Sequence, residues 1–169
     1  NGCKDTTSAS LFINSKPNIS VADTTICDGD VAGVFNAGAG FTTYNWSGNG
    51  TGTSQTTART TAGVYTVRVV DANGCKDTTS ATLTINAKPN ISVADTTICD
   101  GDVAGVFDAG AGFSSYAWSG NGTGTSQTTA RTTAGVYTVN VVDGNGCKDT
   151  TSASLFINSK PNISVADTT

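Results

Sequence analysis

The sequence predicts an all-β fold organised as tandem repeats, and two observations support this prediction. The 169 residues include 30 Thr, 20 Gly and 16 Ser, but only three Leu and neither Glu nor Met. The strongest helix formers are therefore scarce, whereas Thr, Val, Ile and the aromatic residues favour strands. In addition, the sixteen residues that begin at Ile26 return at Ile98 with one substitution, a shift of 72 residues. We therefore expect an array of modules and not a single domain.

The repeats alternate between two slightly different versions. Residues 26–97 and 98–169 differ at nine of 72 positions, which in the first copy are 36, 42, 43, 45, 68, 72, 82, 84 and 87. Residues 1–25 and 145–169 are identical, whereas the copy between them differs from both at three positions. This alternation predicts a super-repeat of two modules in a longer polymer. The expected parts are the last strand of a preceding repeat (1–15), complete repeats (16–87 and 88–159) and the first strand of a following repeat (160–169).

Segments of alternating apolar and polar residues, bounded by turn residues, predict about seven short strands in each repeat. In the first complete repeat, Lys16-Pro17-Asn18 marks a boundary, and an edge strand with a break follows at 19–26. An Asp-Gly-Asp turn leads into a second strand at 31–35. The remaining predicted strands and turns are a strand around Tyr44 and Trp46, a turn at 47–50, strands at 55–60 and 63–69, a hairpin turn at 71–74 and a strand at 80–85.

The aromatic residues indicate which faces form the core. Tyr44 and Trp46 lie two residues apart and therefore share one strand face. Tyr65 shares a face with Val67 and Val69 by the same argument. One central Trp, and a Tyr that follows Ala-Gly, are typical of a small Greek-key sandwich. The predicted core residues of the two repeats are Trp46, Tyr65, Trp118 and Tyr137.

Four motifs of each repeat resemble a known group of surface proteins. They are IC-x-G-x at Ile26, Y-x-W-S-G at Tyr44, T-A-G-V-Y-T-V at Thr61 and D-x-N-G-C at Asp71. Together they resemble the immunoglobulin-like and PKD-like tandem repeats of giant Bacteroidota adhesins, including gliding-motility adhesins, exported by the type IX secretion system. The resemblance covers every repeat from end to end. It implies tandem immunoglobulin-like Greek-key β-sandwiches at a cell surface, and it supplies no catalytic residues.

Composition and charge argue against several classes of function. The chain has no His, which is the commonest general base and metal ligand, and no Ser, Lys or Asp has the spacing of a nucleophile with its base. We therefore predict no enzyme activity. A net charge of -4 argues against a nucleic-acid partner, because phosphate binding needs a basic patch. The apolar runs are too short to cross a bilayer, so no membrane insertion is expected.

The five cysteines, two per repeat, predict disulfides formed in an oxidising compartment, since no C-x-x-C motif is present. Pairing within repeats would join Cys27 to Cys75 and Cys99 to Cys147. However, strand direction in a Greek-key sandwich places Cys27 and Cys75 at opposite ends. That geometry favours a bond between repeats, from Cys27 to Cys147. A third alternative is a long hairpin, in which Cys3 pairs with Cys27 and Cys75 pairs with Cys99, and the remaining alternative is free thiols.

Two Asp-Gly-Asp turns contain the candidate calcium ligands, at Asp28 and Asp30 and again at Asp100 and Asp102. Calcium prefers six to eight oxygen ligands, and the spacing of EF-hand loops is not present. Because Asp and Gly are common turn residues, the interpretation as simple turns is preferred. No other cofactor is expected.

The tripeptide Asp-Thr-Thr occurs six times, and it resembles the O-glycosylation acceptor pattern of exported Bacteroidota proteins. The acceptors that this resemblance implies are Thr6, Thr24, Thr78, Thr96, Thr150 and Thr168. An architectural explanation is equally open, because Thr favours strands and Asp interrupts them.

The sequence favours a structural role in a long extracellular filament or adhesin stalk on the cell surface, giving reach and mechanical stability. The expected partners are neighbouring repeats of the same chain, with other copies in a filament and surface glycans as further candidates. Two alternatives stay open. Each repeat could itself be a module that binds glycans or surfaces, and the chains could self-assemble into a fibre.

Overall fold

The computed structural model describes residues 1–48, 52–120 and 124–164. The secondary structure of these residues consists of strands, and no helix occurs among them. The chain divides into two compact units, Asn1–Ile85 and Asn86–Thr169. The predicted repeat boundaries at 16–87 and 88–159 stay predictions.

In the described part of the chain, each half contains six strands, and corresponding strands have equal length and position. The strands of the first domain are β1 (Thr24–Cys27), β2 (Gly33–Asn36), β3 (Thr43–Ser47), β4 (Thr56–Arg59), β5 (Gly63–Val70) and β6 (Lys76–Asn86). The strands of the second domain are β7 (Thr96–Cys99), β8 (Gly105–Asp108), β9 (Ser115–Ser119), β10 (Thr128–Arg131), β11 (Gly135–Val142) and β12 (Lys148–Asn158).

The strand order is that of a small immunoglobulin-like sandwich. One sheet of the first domain has the order β1-β6-β5-β3, and the other consists of β2 and β4. The second domain repeats this arrangement, with β7-β12-β11-β9 and β10-β8. The pairs β2–β4, β3–β5, β5–β6, β8–β10, β9–β11 and β11–β12 are antiparallel, and β12 pairs with β7 in parallel. The prediction of an all-β, immunoglobulin-like fold is confirmed.

Aromatic residues from both sheets form the core of each domain. In the first domain Trp46 and Tyr65 are fully buried. The ring centroid of Phe35, from the smaller sheet, lies 6.2 Å from that of Trp46 and 5.4 Å from that of Tyr65. The polar atoms of both residues are satisfied, because Trp46 Nε1 donates to Ser54 O at 2.9 Å and Tyr65 OH donates to Thr61 O at 2.6 Å. Trp118, Tyr137 and Phe107 repeat this cluster in the second domain.

The first predicted strand is shorter than expected. Ile19 and Val21 pack against the core, but the residues before Thr24 do not form a strand. The Asp23 carboxylate instead accepts a hydrogen bond from the backbone N–H of Thr82 at 2.7 Å. This bond takes the place of one backbone hydrogen bond between strands. Among the described residues each repeat therefore has six strands, whereas about seven were predicted.

Two other strand ends also differ from the prediction. Val31 is 88% exposed and lies outside β2, which begins at Gly33. The last strand begins at Lys76 and not at Ser80, because its first residues pair with the far end of β5, from Lys76 opposite Val70 to Thr79 opposite Val67. The sequence there is rich in Thr and Asp and has little apolar alternation.

Residues 4–14 have the same sequence as β12 but form no strand. Leu11, Phe12 and Ile13 of this segment are 86–87% exposed, whereas Leu155 of β12, the equivalent of Leu11, is buried. The predicted role of this segment, as the last strand of a preceding repeat, stays a prediction.

Candidate functional site

The two ends of each domain contain the sequence-predicted cysteines and acidic turns. In the second domain β7 runs parallel to β12, and Cys99 lies opposite Asn158 in their register. Asp95, which directly precedes β7, accepts a hydrogen bond from Ser154 N at 2.7 Å. β7 therefore runs in the same direction as the last residues of β12, and β12 ends at Asn158. We call the end with residues 71–75 or 143–147 the leading end, and the end with residues 27–30 or 99–102 the trailing end.

A single carboxylate organises each leading end. Asp71 Oδ1 accepts hydrogen bonds from Asn73 N at 2.9 Å and from Cys75 N at 2.8 Å. Asp71 N also donates to Cys75 O at 3.0 Å, which closes the turn between β5 and β6. Gly74 has φ = 79°, a conformation that glycine adopts without steric cost. The D-x-N-G-C motif is thus the turn that positions the cysteine.

The Asp-Gly-Asp motif makes the turn at each trailing end. Asp102 N donates to Cys99 O at 3.0 Å, and the Asp102 carboxylate accepts from Cys99 N at 3.0 Å. Lys160 Nζ lies 3.9 Å from the same carboxylate. Asp30 closes the first-domain turn in the same way. The described residues contain no group of three or more His, Cys, Asp or Glu placed to hold a metal ion. Calcium binding by Asp28, Asp30, Asp100 or Asp102 stays an untested prediction.

The cysteines divide into two states. Cys27 and Cys147 are disulfide-bonded, whereas Cys3, Cys75 and Cys99 are free thiols. The predicted pairings of the five cysteines stay predictions. Distance argues against the pairing within a repeat. Cys99 and Cys147 lie beside opposite ends of β12, which has 11 residues and spans about 33 Å.

The six candidate acceptor threonines lie in three environments. Thr78 and Thr150 are exposed on the outward face of the four-stranded sheet, and Thr6 is exposed in the N-terminal segment. Thr24 and Thr96 are half-buried at the beginning of β1 and β7, where Thr96 Oγ1 donates to Val106 O at 3.5 Å. Thr168 lies outside the described residues.

The differences between the two repeats concentrate on one surface. Five of the nine, at positions 43, 45, 68, 82 and 84, lie on the outward face of the four-stranded sheet in the first domain. The equivalent exchanges include Arg68 to Asn140 and Thr84 to Phe156, and Phe156 is 52% exposed. The inward-facing residues of the two cores are the same.

Some structural roles of polar residues are not evident from motifs. Arg59 lies over the ring of Tyr65 at 5.2 Å, and Arg131 lies over Tyr137 at the same distance. Asp108 accepts hydrogen bonds from Gln127 Nε2 and Gly110 N, at 2.9 and 2.8 Å. These hydrogen bonds, that of Gln127 foremost, lower the pKa of the Asp108 carboxyl. Arg59, Arg131 and Asp108 stand in no motif that could have revealed these contacts.

Comparison with known proteins yields structural neighbours and no sequence relatives. No family model matches the sequence, and no curated protein matches it. The chain is similar to the first two immunoglobulin domains of DIP-gamma, at 10% identity and a TM-score of 0.37 over 85% of this chain and 98% of that one.

Two further solved structures are similar to the chain. For the insect immune protein hemolin the identity is 15% and the TM-score 0.42, over 85% of this chain and 46% of that one, so the chain spans about half of the hemolin chain. For titin domains Z1Z2, solved in complex with telethonin, the sequence identity is 18% and the TM-score is 0.33, over 89% of this chain and all of that one. Among the described residues no helix is long and apolar enough to cross a membrane. The strand order and cores thus make each domain an immunoglobulin-like β-sandwich.

Proposed function

We propose that this chain is part of the structural repeat region of a long extracellular filament or adhesin stalk, with a surface location like that of the Bacteroidota type IX adhesins that its motifs resemble. The observation that carries the proposal is the direction of the terminal strands in the second domain. Its first strand, β7, points the same way as its last strand, β12, which ends at Asn158, at the trailing end. A repeat with terminal strands in this direction adds its own length to an array.

Two other features support a role in extension and not in chemistry. Each domain has a complete core of its own, so a repeat can be added without changing its neighbours. The two versions of the repeat have the same core and differ mainly on one outward face. Selection that keeps the scaffold and lets the surface vary is expected for a spacer.

Small-angle X-ray scattering of arrays with two, four and six repeats tests the proposal. We expect the maximum dimension to grow by a constant increment of about 30–40 Å per repeat, on the order of the length of β12. Growth with the cube root of the repeat number would contradict it, because that is the behaviour of a compact assembly. Association of chains at rising concentration would favour the fibre alternative, and glycan-array binding by the two-repeat chain would favour the adhesion-module alternative.

We further propose that the outward face of the four-stranded sheet is O-glycosylated. Of the acceptor threonines, Thr78 and Thr150 are the accessible ones within strands. The motif copies at Thr24 and Thr96 are less suitable, because these residues are half-buried and the preceding carboxylates of Asp23 and Asp95 hold backbone N–H groups of β6 and β12.

Peptide mapping of protein from its native source tests this order of preference. We expect hexose-sized mass increments on the peptides with Thr78 and Thr150, and none on those with Thr24 and Thr96. Unmodified mass on the peptides with Thr78 and Thr150 would contradict the proposal.

A further inference from the structure

We infer that the open edge of the two-stranded sheet accepts an extended, acidic strand from a second copy of this chain. The open edge is the side of β4 that faces away from β2, and the side of β10 that faces away from β8. The strand that fits it is the exposed segment 5–8, which begins with an Asp-Thr-Thr motif. The inference goes beyond the proposed stalk function, because it concerns contact between chains and not extension along one chain.

The open edge presents backbone groups that have no strand partner. In the described part of the chain β4 pairs with β2 alone. Just beyond these pairs, Ala37 N donates to Gln55 O at 3.0 Å. Since bonded and non-bonded pairs alternate in an antiparallel ladder, the N–H and C=O groups of Thr56 and Ala58 point away from β2. Both residues are exposed. β10 repeats this arrangement in the second domain.

An arginine in each edge strand lacks an acceptor. The Nε and Nη2 atoms of Arg59 are buried and have no hydrogen-bond partner among the described residues, and the same holds for Arg131. Each guanidinium lies over a tyrosine ring, and each arginine side chain as a whole is half-buried, within reach of a group at the edge. Buried donors without an acceptor cost free energy. Two adjacent guanidinium nitrogens are also the arrangement that binds a carboxylate through parallel hydrogen bonds. The edge therefore favours a strand with an acidic side chain.

The register of an added strand follows from the backbone pattern. Because Thr56 and Ala58 would make the backbone bonds, Thr57 and Arg59 occupy the positions at which cross-strand side chains come closest. Residues directly opposite each other share one face of the sheet. The residue opposite Arg59 thus points inward, toward the guanidinium.

The Asp-Thr-Thr segment satisfies this register. In antiparallel pairing, Asp5 opposite Arg59 places Thr7 opposite Thr57, so that the carboxylate meets the guanidinium and the two inward threonines lie side by side. The same alignment is available at Arg131, because β4 and β10 have the same sequence.

The copy of the motif at Asp5 is the one that is available as a donor. Two other copies precede β1 and β7, where the carboxylates of Asp23 and Asp95 hold backbone N–H groups. Two more lie inside β6 and β12, and the last falls outside the described residues. The copy at Asp5 is exposed and forms no strand, although the same eleven residues, 4–14, form an antiparallel strand as β12.

Sedimentation velocity of the whole chain, with its free thiols blocked by alkylation, tests the inference. We expect reversible association that rises with concentration and falls with added NaCl, because salt screens ion pairs. Asp5→Asn should weaken association about tenfold, since it removes charge-assisted hydrogen bonds. Asp5→Glu, which keeps the carboxylate, is the matched control and should still associate. A wild-type chain that stays monomeric, or an Asp5→Asn chain that associates as the wild type does, would overturn the inference.

A synthetic peptide of residues 4–14 locates the acceptor. The Asp5→Asn chain cannot donate its own segment, so it serves as the receiving protein. We expect the backbone amide NMR signals of Thr56 and Ala58, and of their equivalents in β10, to shift when the peptide is added. The same peptide with Asn in place of Asp5 should leave these signals unchanged. Shifts confined to other strands would contradict the assignment of the edge.

The double variant Arg59→Gln with Arg131→Gln separates two roles of the arginines. An inward-pointing charge is also a means of blocking a sheet edge against added strands. We expect weaker association of the double variant, with circular dichroism as the check on its fold, and stronger association would overturn the inference. If this variant does not fold, the peptide pair decides. Scattering on Asp5→Asn arrays tests the stalk function by itself, because these chains are expected to stay apart.

Discussion

Replacement of Trp46 by Ala is expected to lower the unfolding free energy of the first domain by about 3–5 kcal/mol. The Trp46 side chain is fully buried between the sheets, with the Phe35 ring 6.2 Å from its own. Its loss leaves a cavity that two thin sheets cannot close. It also removes the donor to Ser54 O, a second and smaller cost.

The two tryptophans make this effect measurable one domain at a time. In Trp46→Ala the remaining fluorophore is Trp118, which reports on the second domain. We expect the fluorescence transition in urea to stay near its wild-type midpoint, while circular dichroism shows an additional transition at lower urea. The control is Val31→Ala, which removes a side chain that is 88% exposed and is expected to change stability by less than about 0.5 kcal/mol. A single transition at the wild-type midpoint would contradict the expectation.

Gly48→Ala is expected to destabilise the first domain by about 2–4 kcal/mol, through the backbone and not through lost contacts. Gly48 has φ = 115°, which residues with a side chain rarely adopt. An added Cβ would lie 2.6 Å from the backbone oxygen of Val64, in β5. Because a backbone atom in a central strand cannot move aside, the backbone of residue 48 itself must shift instead.

The repeat supplies matched variants for this prediction. Gly120→Ala is expected to have the same effect on the second domain, since φ is 113° and the Cβ would lie 2.7 Å from Val136 O. Gly144→Ala is the control, because an added Cβ there meets no atom within 4 Å and the equivalent residue is already Ala72. Thermal unfolding of the three variants decides the matter. Equal melting temperatures for Gly48→Ala and Gly144→Ala would refute the steric argument.

The sequence predicted strand burial best where apolar and polar residues alternate strongly. In β5 the residues Tyr65, Val67 and Val69 are fully buried and Arg68 is exposed, as the pattern indicates, because one sheet face packs on the core and the other faces water. The strand ends were predicted less well. Thr and Asp at the start of β6 show little alternation, so its pairing with β5 is visible only in the structure.

Interactions between distant parts of the chain were beyond local patterns. The Asp23 carboxylate holds the N–H of Thr82, 59 residues away, and nothing in either segment indicates the other. At the candidate site, the turn motifs correctly located the cysteines at the ends of the domains. Cys27 is disulfide-bonded and Cys99 is a free thiol although both stand in the same motif, so a pattern shared by all copies could not distinguish them.

The parallel pairing of β7 with β12 determines how a domain responds to tension along the chain. Because the two terminal strands point the same way and the chain leaves at the far end, a pull on both ends slides these strands past each other. The four register pairs from Thr96 with Leu155 to Cys99 with Asn158 then bear the load together, in shear. In an antiparallel hairpin pulled at its open end, the hydrogen bonds would instead break one after another. Resistance to rupture is thus concentrated in a few residues of a short edge strand, apart from the thermal stability that the aromatic core provides.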